Sequence, residues 1–305
     1  MTLSARPGSR GLAGSLAGAS SVRDYWQLTK PRVMRLAVFS AWAGMFLAPV
    51  PLHPVLAFTA ILCIAVGAGA SAALNNAYDA DIDRIMRRTA WRPTASGRIA
   101  PAEANAFGLI LAILSVVVMG LALNWLAASL LAATIAFYVL VYTIWLKRRT
   151  PQNIVIGGAA GALPPVVGWA AATGGVALEP LILFLLVFLW TPPHFWALAL
   201  YRRDDYAAAG VPMLPVVAGG DATRRQILSY TVALVPVVLA PYVLGMSGPL
   251  YLVVALVVSV GFVRCAWRLL RDGSAEAARG TFRFSLLYLF ALFAALVVDH
   301  ALLAV

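Results

Sequence analysis

In 305 residues the chain carries only 11% charged and 62% hydrophobic side chains, which excludes an ordinary soluble domain, where about a quarter of residues are charged. Its 23 Lys and Arg against 12 Asp and Glu give a net charge of +11, but the basic residues sit in short loops between apolar runs, which excludes a nucleic-acid surface. Cys63 and Cys265 have no CxxC spacing and read as small core residues, not a metal or redox pair.

The chain opens on a stretch rich in Ser, Gly, Ala and Arg, without an acid before Asp24 and without an apolar signal core. Residues 1–23 read as a disordered cytoplasmic tail, although a transit peptide has a similar composition. Residues 24–305 read as a single membrane domain. Nine apolar segments follow in order, at about 34–51, 55–78, 105–123, 126–146, 154–174, 180–200, 227–246, 249–269 and 282–303. Backbone polar groups in lipid must satisfy one another, so the fold class is all-α, a nine-helix transmembrane bundle. Pro164, Pro165, Pro192 and Pro193 should kink spans 5 and 6, and Gly157, Gly158 and Gly161 should let span 5 pack closely. Every Lys and Arg falls before or at the start of span 1 or around the loops after spans 2, 4, 6 and 8. That asymmetry places the N-terminus in the cytoplasm and the C-terminus across the membrane.

The densest charge lies in NNAYDADIDRIMRRTAWRP, residues 75–93, directly after twenty uncharged residues from Val55 to Leu74. Asn75, Asp79 and Asp83 recur at i, i+4 and i+8, so they share one helical face, while Asp81 points elsewhere. Three oxygen-bearing side chains at a membrane rim suit Mg²⁺, which takes one or two carboxylates and completes its shell with water and phosphate. A solvated helix end, its acids paired to Arg84, Arg87 and Arg88, accounts for this cluster equally well when taken alone. A second charged cluster, YRRDDY at 201–206, closes span 6 on the same side. Together the two can hold a diphosphate through metal, with Arg88, Arg92, Lys147, Arg148 and Arg202 neutralising phosphate oxygens.

Asn75-xxx-Asp79-xxx-Asp83, followed by Arg88-Thr89-xx-Arg92-Pro93, resembles the first aspartate-rich motif of the UbiA-type intramembrane prenyltransferases. DYWQLTKPRV (24–33), LKRRTPQNIVIGGAAGALPPVVGW (146–169) and WTPPHFWALALYRRDDYAAAGVPMLPVV (190–217) narrow the resemblance to the branch that farnesylates heme. The resemblance implies nine helices around a central cavity in a bacterial inner membrane, with farnesyl diphosphate and heme b as substrates and Mg²⁺ as cofactor. It implies catalytic roles for Asn75, Asp79, Asp83 and Asp205, with Asp79, Asp83 and Asp205 as metal ligands. It also implies partners in heme handling, such as heme A synthase or terminal-oxidase assembly factors. The superfamily's second motif spaces two carboxylates four apart, but here Tyr201 stands four before Asp205, a departure that shifts diphosphate binding toward Arg202.

In the reaction so implied, a heme vinyl group attacks an allylic cation as diphosphate leaves. Trp42, Tyr78, Tyr138, Tyr142, Trp145, Trp169, Trp190 and Trp196 are candidate walls for the cation's cavity, though ordinary packing or an interfacial belt explains any one of them. His194, inside span 6, is either a heme contact or a histidine hydrogen-bonded within the bundle. His53 and His300 read as peripheral, and Asp299 near the outer end of span 9 as snorkelling or hydrogen-bonded. Two competing readings are prenyl transfer to a quinone precursor or a chlorophyll-type ring, and cation-coupled transport. Transport fits less well because the acids lie at one rim and not at the midplane.

Overall fold

The computed structural model describes residues 20–303, and these contain helices without any strand. The elements are α1 (Val22–Leu28), α2 (Pro31–Phe46), α3 (Pro54–Tyr78), α4 (Ala80–Ile85), α5 (Pro101–Ala122), α6 (Trp125–Leu146), α7 (Asn153–Ala162), α8 (Pro164–Thr173), α9 (Leu178–Leu200), α10 (Arg203–Ala208), α11 (Leu214–Val217), α12 (Gly219–Val243), α13 (Pro249–Asp272) and α14 (Ala275–Leu303). The tail expected over 1–23 lies outside the described residues as far as residue 19. Its last residues begin α1, with Ser21 accepting from the Asp24 amide in a capping box.

Among the described residues eight helices are long and apolar enough to cross a membrane, counting α7 and α8 as one. The first expected span, 34–51, is α2, whose 16 residues fall short of the usual spanning length of about 20. The Pro164–Pro165 pair divides span 5, because Pro164 opens α8 directly after α7 ends. Pro192 and Pro193 do not divide span 6: α9 runs through them without interruption.

Small residues set the closest packing. A Cβ on Gly168 would meet the Ala41 carbonyl oxygen at 2.0 Å, and one on Gly44 would meet that of Pro165 at 2.2 Å, so α2 and α8 touch backbone to backbone. Gly157 and Gly158 seat Tyr142 and Thr191, but Gly161 has open space beside it and packs against nothing. The largest apolar cluster joins α2, α8, α9 and α12–α14 around Trp169, Trp190, Phe262, Tyr288 and Phe293. At the far end of α14, buried Asp299 accepts from the amides of Gly248 and Tyr251, so it anchors the positive start of α13.

Candidate active site

α3 ends at Tyr78 and α4 begins at Ala80, yet the backbone keeps the helical register across Asp79. The Asp79 amide donates to Asn75 O at 2.9 Å and the Asp83 amide to Asp79 O at 2.8 Å. Asn75, Asp79 and Asp83 therefore stay on one face, and that face is buried: Asp79 is 0% and Asp83 2% exposed. The solvated helix end is thus excluded for these two carboxylates, and Arg84, Arg87 and Arg88 are not their partners. Arg84 donates to Ala95 O, and neither Arg87 nor Arg88 makes an ion pair among the described residues.

The partners come from farther along the chain. Arg92 pairs with Asp83 at 2.7 Å, Lys147 with Asp79, and Arg148 reaches Asp79 Oδ1 at 3.7 Å. Arg148 forks both its terminal nitrogens onto Asp81, each at 2.7 Å, and lies over the Tyr78 ring. The Arg148 hydrogen bonds hold the Asp81 carboxyl below its usual range.

Three contributors escaped the sequence reading. Lys30 donates to Asn75 Oδ1 at 2.7 Å. It is the only non-glycine residue at positive φ among those described (φ 51°, ψ 55°), a conformation that costs about 1–3 kcal/mol and that its neighbours must hold in place. Burial, and then the nearby Arg92, pull the Lys30 pKa well below that of an ordinary lysine. Thr143 is the second. The last turns of α6, Phe137–Leu146, wind as a π-helix, a rare form that recurs at functional sites. This winding sets Thr143 Oγ1 at 3.1 Å from Asn75 Nδ2 and presents Lys147 to Asp79. Tyr138 and Tyr142 pack ring against ring on the same segment.

Ser285 on α14 is the third. It lies 2.6 Å from His194 Nδ1, while its own hydroxyl donates to Phe282 O at 2.7 Å. With its proton so engaged, Ser285 accepts from Nδ1–H, which leaves Nε2 of His194 as the lone-pair nitrogen. The imidazole is stacked between Trp190, at 4.3 Å, and Phe282, at 4.7 Å, and Trp190 Nε1 donates to Ser285 O. Of the other candidate wall residues, Trp169 and Trp196 are buried, whereas Trp42, Tyr78 and Trp145 are exposed and belong to the outer surface or rim.

The second cluster faces the first. A cavity of about 370 Å³ is lined by Ile85 and Arg87 from one side and by Tyr201, Arg202, Asp204 and Asp205 from the other. Arg202 lies 3.8 Å from Asp205 and over the Tyr201 ring. Asp79, Asp83 and Asp205 do not converge: among the described residues no three His, Cys, Asp or Glu side chains form a group able to hold a metal. Each carboxylate is instead drawn to a cationic neighbour. The carboxylates still fit a hard cation, because Asp79 Oδ1 is buried without a hydrogen-bond donor, its nearest cation being Arg148 at 3.7 Å, and a carboxylate oxygen is the ligand such a cation takes.

A helical membrane bundle with two facing charged clusters at one rim defines a class, and comparison agrees: residues 37–297 match the UbiA prenyltransferase family, to which the chain belongs. Protoheme IX farnesyltransferase 2 of Mesorhizobium japonicum is 57% identical over 94% of this chain and 93% of its own length. Protoheme IX farnesyltransferase of Nitrobacter hamburgensis is 60% identical over 92% and 91%. Among solved structures, a digeranylgeranylglyceryl phosphate synthase superposes with a TM-score of 0.76 at 21% identity, covering 92% of this chain and 98% of its own. A UbiA homologue of Archaeoglobus fulgidus bound to GPP and Mg²⁺ gives 0.63 at 18% identity, covering 90% and 99%.

Proposed function

We propose that this chain transfers the farnesyl group of farnesyl diphosphate to a vinyl group of heme b, giving heme O and diphosphate. The observation that carries the reading is the buried cluster of Asp79 and Asp83, ringed by Lys30, Arg92, Lys147 and Arg148 at the rim of an apolar bundle. Arg92, Lys147 and Arg148 offset the three carboxylates they touch, Asp79, Asp81 and Asp83, and Lys30 beside Asn75 adds a further basic group that suits a diphosphate. The relatives at 57–60% identity bear the name of this activity over nearly their whole length.

Asp79 and Asp83 would hold Mg²⁺, with Asp205 approaching from the second cluster. When bound, the ion supplies positive charge that stabilises the departing diphosphate. Lys30, Arg92, Lys147 and Arg202 bind and orient phosphate oxygens, and Arg148 braces the cluster through Asp79 and Asp81. As the allylic C–O bond breaks, its electron pair leaves with the diphosphate. The vinyl π electrons form the new C–C bond, and water adds to the resulting cation with loss of a proton. Tyr138 and Tyr142 line the apolar side of the charged cluster and exclude water from the allylic carbon. His194 Nε2 contacts the heme, its tautomer set by Ser285. In this reading the span count is nine with α2 included and the membrane is a bacterial inner membrane; the Lys and Arg distribution supports a diphosphate cluster on its cytoplasmic side.

The test is acceptor competition. Purified protein given farnesyl diphosphate, Mg²⁺ and an equimolar mixture of heme b and an aromatic quinone precursor should farnesylate heme. Transfer to the quinone precursor alone would replace this reading with the other acceptor class.

A further inference from the structure

A second concavity opens at the same rim, between α13 and α14. It encloses about 270 Å³ and is lined by Arg268, Arg279 and Arg283, with Glu276 as its one acid. No carboxylate lies within ion-pair distance of any of the three arginines among the described residues, whereas Arg92, Lys147 and Arg148 are each paired with an acid of the first motif. Arginine forks left open in a hollow suit a ligand with more than one carboxylate or phosphate group. The alternative is that they serve only to set topology.

The position of the hollow narrows the ligand. Arg279 lies over the Tyr201 ring at 5.6 Å, Tyr201 meets the edge of Phe282, and Phe282 stacks on His194. Arg279 to Ser285, the partner of His194, is six residues of α14, a helical rise of about 9 Å. That separation is on the scale of the distance from the centre of a porphyrin to its carboxylate side chains. Building on the function proposed above, we infer that Arg279 and Arg283, supported by Arg268, bind the two propionates of the heme. The vinyl groups lie away from the propionate edge of the macrocycle. Holding that edge at α13 and α14 therefore turns a vinyl toward the side of the bundle where Asp79, Asp83 and Arg202 hold the diphosphate. These arginines then decide which edge of the acceptor reacts.

Heme dimethyl ester, in which both propionates are capped, provides the test. Full-length protein in nanodiscs of uncharged lipid is titrated with heme b and with the ester, and binding is followed by the Soret band. The wild type should bind heme b at least tenfold more tightly than the ester. The Arg279→Gln/Arg283→Gln variant should bind both with the weak affinity of the ester, while farnesyl diphosphate affinity stays within threefold. If the double variant loses farnesyl diphosphate binding as well, Arg283→Gln alone is read in the same way. A variant that keeps the full preference for heme b overturns the inference, as does a wild type that binds heme and ester equally. Equal binding combined with competition by phosphatidylglycerol would reassign the hollow to a lipid phosphate. A wild type with no saturable binding of either compound defeats the heme reading itself, a result distinct from equal binding.

Discussion

Replacing Asp83 by Asn separates the electrostatics of the cluster from its packing. The side chain is 3% exposed and accepts one short bond from Arg92 at 2.7 Å. The amide keeps the volume and one acceptor oxygen but loses the charge. A hydrogen bond to a charged group is worth about 1.5–3 kcal/mol, and the retained oxygen places the folding cost toward the low end. Arg92 is 17% exposed, so water can reach the cation left behind. The catalytic cost is larger. Removing one preorganised group that stabilises transition-state charge typically costs about 2.7–4 kcal/mol, or 10²–10³ in turnover. The assay is heme O formation by purified variant and wild type at saturating farnesyl diphosphate, heme b and Mg²⁺, with thermal unfolding measured in the same detergent. A fall of 10²–10³ in turnover with the melting transition retained is expected. Asp81→Asn, at an exposed position two residues away, should lose far less. Turnover of Asp83→Asn within threefold of wild type, or a loss matched by loss of folded protein, would refute the role.

Lys30→Met should raise the farnesyl diphosphate KM at least tenfold, because it removes an ammonium held 2.7 Å from Asn75; competition binding with inorganic diphosphate checks it. Ser285→Ala should free His194 to adopt either tautomer and alter the heme spectrum on titration, while Ser285→Thr restores it; identical spectra for all three proteins would leave His194 as a packing residue. Gly168→Val should lower stability by more than 2 kcal/mol or abolish insertion, since the new atoms collide with the Ala41 backbone, and denaturant unfolding measures the loss. The Asp24 carboxyl is held down to about 2, first by the Ser21 hydroxyl and then by Arg98. Its folded pKa lies below the unfolded one, so its contribution is complete above about pH 4 and lost as pH falls toward 2. Hydrogen exchange in α1 should therefore accelerate in that window, and Asp24→Asn should remove the pH dependence.

Much of this was legible in the sequence. The second and sixth expected spans, 55–78 and 180–200, fall within two residues of α3 and α9, because uncharged runs mark where lipid is. Helix ends were less legible. α12 begins at Gly219 and α14 at Ala275, seven or more residues before their apolar segments, because a helix continues into water where hydropathy no longer reports it. The shared face of Asn75, Asp79 and Asp83 followed from period alone. Their hydrogen-bond partners Lys30 and Thr143 did not, because they come from other elements; Lys147 was legible as a phosphate ligand, but the π-winding that brings it to Asp79 and Thr143 to Asn75 has no local signature. Lys30 is one more basic residue before span 1 until its left-handed backbone is seen. Trp42, Tyr78 and Trp145 were candidates for a cavity wall because composition cannot tell the inner face of a bundle from the outer one.

The central claim is that charge at the rim and the apolar bundle serve one reaction on heme. Its most direct measurement is a time course of diphosphate release and heme O formation in a single reaction of the purified chain with farnesyl diphosphate, heme b and Mg²⁺. The two products should appear in equal amounts, both suppressed by chelator and by Asp83→Asn. Diphosphate released without alkylation of heme, or heme O formed undiminished in excess chelator, would contradict it.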